Sequence, residues 1–228
     1  MLHVLTQKRQ ACRICCDSNP GLIKNGSEFD FDPRVISYWS QWMGNAEPKI
    51  LIVGQNFGSI EYFTRFRGKD ETNNTTNNNL RKLLGEAGLH VGPAPLPDPK
   101  APVFLTNAIL CLQAGQMNAP IKDRWVRSCS GTHLLPLINE LKPQVIVGMG
   151  KHGWLAVRSA LKMQDAPSGI KEAAGQMWVL PSQVCIFAVG HCSGLGLVNR
   201  SWASQVLDWR KIGETLSSLN GNASETAN

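Results

Sequence analysis

The chain has 228 residues, 43% of them hydrophobic, and carries a formal net charge of +6 with a pI near 9.0. That length suffices for one large α/β domain with a real core, and no apolar run approaches the length that spans a bilayer. Met1 to Leu5 is too short, and too quickly followed by Lys8 and Arg9, for a secretory leader. A cytoplasmic monomer is expected, and its basic excess suits a polyanionic partner.

Seven cysteines are an odd number for a disulfide framework, and in such a chain they suggest metal binding or plain burial. Cys12-Arg13-Ile14-Cys15-Cys16 lies near the start, followed by loop-like residues to Asp32. Pro33 to Met43 reads as a short amphipathic helix opened by proline. Ile50 to Val53 is an apolar, β-branched run of the kind buried on both faces of a parallel sheet. It stops at Gly54-Gln55-Asn56-Phe57-Gly58, a glycine-bounded turn holding two amides.

Ser59 to Phe66 reads as a helical turn or an ordered loop, and the Asn- and Thr-rich stretch from Lys69 to Asn79 as an exposed loop. Asn79 then caps a helix over Leu80 to Ala87 that ends at Gly88. A second strand, Val103 to Thr106, leads into Asn107. A helix over Lys122 to Leu141 is expected to be disturbed at Gly131 and Pro136. The third strand, Val145 to Val147, ends at Gly148 and Gly150, and a helix covers Trp154 to Met163. The fourth strand, Val184 to Val189, ends at Gly190-His191-Cys192-Ser193. A last helix runs from Trp202 to Leu219, before a polar tail over 220–228 that is expected to be disordered.

Four buried strands alternating with helices predict a three-layer α/β/α domain over residues 1–219, with a central, mainly parallel four-stranded sheet. Residues 1–48 form a cysteine-bearing segment expected to pack on it. In a parallel sheet all the strand ends share one edge, where ligands bind. Gln55, Asn56, Asn107 and His191 are thereby expected to converge.

The order of these motifs resembles the uracil-DNA glycosylase superfamily. Gly54-Gln55-Asn56-Phe57-Gly58 is similar to its first motif in families with Asn third and Gly fifth. Thr106-Asn107-Ala108-Ile109-Leu110-Cys111 resembles the Thr-Asn strand end of the iron–sulfur (family four) type. His191-Cys192-Ser193 stands where His-Pro-Ser is expected. Phe57 and Cys192 replace prolines of the pattern, and Gln55 replaces the family-four glutamate, which points to a divergent branch. Cys12, Cys15, Cys111 and Cys129 fall at the positions of the family-four ligands, which implies a 4Fe–4S cluster or, alternatively, zinc. Cys16 is an alternative to Cys15, and Cys185 reads as core.

The resemblance implies release of uracil, or a related deaminated base, from DNA by base flipping. Asn56 would orient the water, and Asn107 would read the N3–H and O4 edge of the base. His191 would donate to O2 as charge builds there. Gly54 and Gln55 would line the base site, the latter through its backbone, and Phe57 is the candidate for stacking. Ser193, Leu195, Leu197 and Arg200 would meet the DNA, the leucines as a wedge and Arg200 at phosphate. A rival of a different class is a non-catalytic DNA-binding or damage-sensing protein with the same fold. An unrelated nucleotide-binding enzyme lacks support, because no Gly-x-Gly-x-x-Gly or phosphate-loop lysine follows the first strand.

Overall fold

The computed structural model describes residues 2–18, 23–25, 47–66, 71, 73–92, 98, 100–115 and 119–225. The helix expected over 33–43 lies outside them. The chain opens with two helices, α1 (Leu2–Ala11) and α2 (Ile14–Ser18), and a short strand β1 (Ile23–Asn25). β2 (Ile50–Gly54), α3 (Ile60–Arg65), α4 (Thr75–Glu86), β3 (Val103–Asn107) and β4 (Cys111–Gln113) follow. Beyond them come α5 (Asp123–Cys129), a π turn (Ser130–Leu134), α6 (Leu135–Leu141), β5 (Val145–Met149) and α7 (Gly150–Ala160). The chain closes with α8 (Ile170–Ala173), β6 (Met177–Val179), β7 (Cys185–Val189), α9 (Gly194–Asn199) and α10 (Trp202–Glu225).

The main sheet has five strands rather than the expected four, in the order β3-β2-β5-β7-β6. The four apolar runs pair in parallel, and β6 adds an antiparallel edge against β7. β6 is three residues long, with Met177 and Val179 exposed, while Trp178 turns inward and stacks on Trp154 with ring centroids 4.9 Å apart. One inward residue gives no alternating pattern long enough to read. β1 and β4 form a separate antiparallel pair.

Alternate residues of β2 feed opposite layers. Leu51 and Val53 pack with Val126, Leu137, Trp154 and Val157, whereas Ile50 and Ile52 pack with Leu83, Leu84, Trp209 and Ile212. Burial on both faces is why the run is continuously apolar. The helix α7 approaches the sheet so closely that a Cβ at Gly153 would stand 2.1 Å from the Val53 carbonyl oxygen. Any side chain there would force helix and strand apart.

Several boundaries differ from the sequence reading. The helix after the Asn-rich stretch starts at Thr75 and is capped by Asn74, whose side chain accepts from the Asn77 N–H at 3.0 Å. Asn79 instead lies within that helix and donates to the Cys192 carbonyl at 2.9 Å. A poor helix-forming sequence is thus held helical by a tertiary tie. The disturbance expected at Gly131 and Pro136 is the π turn, which lets the chain pass a proline that has no N–H to give. The last helix extends to Glu225 instead of ending at Leu219. No helix among the described residues is long and apolar enough to cross a membrane.

Candidate active site

Chain order fixes where the site must form. From β2 the chain moves outward to β3, then returns to the other side of β2 for β5 and β7. The order reverses between β2 and β5, the switch point beyond whose strand ends open α/β sheets bind ligands. Gln55 from the turn after β2 and His152 from the first turn of α7 meet across it, with His152 Nδ1 and Gln55 Oε1 at 3.0 Å.

The turn after β2 is fastened along its length to the segment after β3. Ala108 N–H donates to the Gly54 carbonyl at 2.9 Å, Ile109 N–H to that of Gln55 at 3.1 Å, and Gln113 N–H to that of Gly58 at 3.4 Å. Gly54 and Asn107 are register partners at the ends of their strands, and Asn107 Oδ1 is turned toward Gly54. Asn56 is half-buried and donates from Nδ2 to Gln113 Oε1 at 3.4 Å.

His191 follows β7 and packs against Gly150, the first residue of α7. Its Nδ1 receives the backbone N–H of Ser193 at 3.2 Å and lies 2.8 Å from the Ser193 hydroxyl. A nitrogen that accepts from a backbone N–H carries no proton, so the proton sits on Nε2. Burial pushes the His191 pKa below 6.5, which favours this neutral form. The imidazole is therefore held as a neutral ring that donates from Nε2.

Of the DNA-facing candidates, Arg200 makes a two-pronged ion pair with the buried Asp208, with both N–O distances at 2.6 Å. Ser193 acts on His191 and caps α9 by accepting from the Gly196 N–H. Because that segment is helical, residues three apart share a face. The exposed apolar pair is Leu195 and Val198, at 76% and 83% exposure, while Leu197 is half-buried. Phe57 packs edge-on to Phe63 and lies under the buried Arg9 guanidinium, 5.6 Å from the ring centroid. One ring face is thereby covered by α1. Cys192 is fully buried, its thiol 3.3 Å from the Thr76 carbonyl.

The N-terminal cysteines come to the same side of the molecule. Cys12, Cys15, Cys111 and Cys129, with Arg9, Leu110 and His133, line one recess between α1, α2, β4 and α5. Cys15 lines it, and Cys16 beside it is also near enough to Cys111 to raise that thiol's pKa. No disulfide joins any cysteine, and among the described residues no three candidate ligands stand together as a formed metal site. Burial, reinforced by neighbouring sulfurs, pushes Cys15 up to about 11 and Cys129 up to about 12, and raises Cys111 as well. Four soft donors around one recess suit a thiolate-loving metal or cluster, because a cation would relieve the cost of their ionisation.

Two residues of the site were not singled out from sequence. Gln113 lies just past the motif that ends at Cys111, and only the fold brings its amide to Asn56. His152 follows Gly150, the first residue after β5, by two positions, a spacing that marks the first turn of a helix at the sheet edge. Burial lowers its pKa, with Lys151 adding to the effect, and its Nε2 is buried without a hydrogen-bond partner.

Amides after β2 and β3 and a neutral histidine after β7 stand along the carboxyl edge of the sheet, where open α/β sheets bind ligands. Residues 42–210 match the uracil DNA glycosylase superfamily, and the chain belongs to that family. Membership carries a glycosylase-type DNA repair function, with DNA as the class of substrate. No curated protein matches the chain significantly.

Proposed function

We propose that the protein hydrolyses the N-glycosidic bond of uracil, or of a related deaminated base, in DNA. The observation that carries this reading is the tautomer of His191, set by the Ser193 N–H, at the same sheet edge where β2 and β3 lead into Asn56 and Asn107. Breaking the bond between base N1 and sugar C1′ leaves a cationic sugar and an anionic base. A donor already aimed at the developing oxyanion stabilises that state without reorganising. His191 Nε2–H would meet O2 of the base. Asn107 would pair with the N3–H and O4 edge, a pattern that cytosine reverses. Asn56 would hold the attacking water through Oδ1, and Gln55 would line the base site. Phe57 can offer only the face away from Arg9 for stacking. Leu195 and Val198 would enter the base stack, since they are the exposed apolar pair.

Cys12, Cys15, Cys111 and Cys129 would hold a 4Fe–4S cluster, or zinc, as in the family-four type. Such a group would supply a structural cross-link rather than bond-breaking chemistry. It would tie α1 and α2 to the segment that carries Asn107 and Gln113.

The test is base release from single- and double-stranded oligonucleotides containing uracil, hypoxanthine, xanthine or mismatched thymine. Release of uracil or another deaminated base, leaving an abasic site, is expected. DNA binding with no release from any of them would overturn the proposal in favour of a damage-sensing role.

A further inference from the structure

We propose that Gln113 is a positioning residue for the hydrolytic step: it decides which atom of Asn56 is presented to water. This rests on the role given to Asn56 above. An asparagine amide is nearly symmetric in shape but not in chemistry, since one end accepts and the other donates. For Asn56 to orient an attacking water by accepting a hydrogen bond from it, Oδ1 must face the water. Nothing within Asn56 itself enforces that choice.

The structure assigns the choice to a directional chain. It starts at the Pro120 carbonyl, which can only accept. Gln113 Nε2 donates to it at 2.7 Å, so the nitrogen end of the Gln113 amide points there. Oε1 is then forced to the other side, where Asn56 Nδ2 lies at 3.4 Å. An oxygen of Asn56 at that place would oppose another oxygen. The amide therefore settles with Nδ2 toward Gln113 and Oδ1 turned away from it.

Gln113 is well placed to impose this. It is 5% exposed. Its backbone N–H reaches the Gly58 carbonyl at 3.4 Å, and it bridges in parallel to Ser59. The same residue thus pins the far end of the turn with its backbone and the middle of the turn with its side chain.

A carboxylate needs no such orientation, because both of its oxygens accept. That difference separates positioning from mere structural support. In single-turnover release of uracil, Gln113→Leu should slow the enzyme by about ten-fold or more. In the Asn56→Asp background the same change should alter the rate by less than about three-fold, giving strong non-additivity in the double-mutant cycle. DNA affinity should not move in either background. Gln113→Met, unbranched and also lacking the amide, should behave as Gln113→Leu does and covers the case in which the leucine variant fails to fold. Equal losses in the two backgrounds would overturn the proposal, since a structural role costs both alike. A wild-type rate for Gln113→Leu alongside a slow Asn56→Ala would also overturn it while leaving the role of Asn56 intact. A wild-type rate for Asn56→Ala would instead remove Asn56 from the reaction, and Gln113 with it.

Discussion

Gly54 and Asn107 face each other across the ends of β2 and β3 so closely that a methyl group on Gly54 would lie 2.9 Å from Asn107 Oδ1. The obstructing atom belongs to a side chain, so the fold can yield and Asn107 must swing away. Gly54→Ala is expected to remain folded and to lose about ten-fold or more in uracil release. Asn107→Asp should cost at least the 1–3 kcal/mol or so of a buried polar contact left unmade, and more where the new charge faces O4. Single-turnover rates for both variants, with DNA affinity measured alongside, check this. Wild-type release by Asn107→Asp would remove that residue from base reading.

His191 and Ser193 give a graded pair. His191→Ala removes the donor itself and should cost roughly 10²–10³ in rate, at least as much as Asn56→Ala. Ser193→Ala removes only the hydroxyl and leaves the backbone N–H on Nδ1, so a loss of only a few-fold is expected. Protonation of Nδ1 would break the bond from the Ser193 N–H, and burial lowers the pKa of His191. The rate should therefore stay flat from pH 8 to below pH 6.5 and fall only in more acid solution. A profile that already declines at pH 7 would contradict the neutral tautomer.

The cysteine recess predicts a visible property. Protein purified aerobically without chelator should be brown and contain iron, or be colourless and contain zinc. Cys12→Ser and Cys129→Ser should lose the metal and the thermal stability that accompanies it. Metal analysis showing neither iron nor zinc in the wild-type protein would dispose of both readings.

Three histidines make stability pH-dependent in one direction. Burial, with the charge of Arg9 adding to it, pushes His133 down to about 4, and burial also lowers His152 and His191. Each binds a proton more weakly folded than unfolded. Their contribution is full above the unfolded value of 6.5 and is lost as pH falls toward the folded values. His133 alone accounts for a loss on the order of 3 kcal/mol by pH 4. Urea midpoints at pH 7, 6, 5 and 4 should decrease stepwise. A constant midpoint would show that these side chains are hydrated in solution.

The parts of the fold that were legible are those whose burial is written in one short run. Ile50 to Val53 and Cys185 to Val189 bury both faces, so every residue is apolar. α1 was not legible, because its buried face comprises Leu5, Thr6 and Arg9, and an arginine reads as surface until its partners are known. Asn56, Asn107 and His191 could be placed at one edge because parallel strands end together. The partner of Arg200 was not legible for the opposite reason: Asp208 lies eight residues on, and only the start of α10 turns its carboxylate back onto the guanidinium. Gln113 and His152 act through contacts with Asn56 and Gln55, 57 and 97 positions away, for which the sequence offers no period.

The seven residues from Asn107 to Gln113 are fixed at both ends and in the middle: Asn107 by pairing with Gly54, Gln113 by its ties to Gly58 and Asn56, and Cys111 by its place in the recess. Their length is consequently a conserved quantity of the machine in a mechanical sense. Inserting or deleting one residue would shift Cys111 or Gln113 by about 3.3 Å, moving the thiol or the amide out of reach. Substitutions within the stretch can be absorbed one side chain at a time, but a change in its length cannot, so libraries that vary this enzyme should hold that spacing constant.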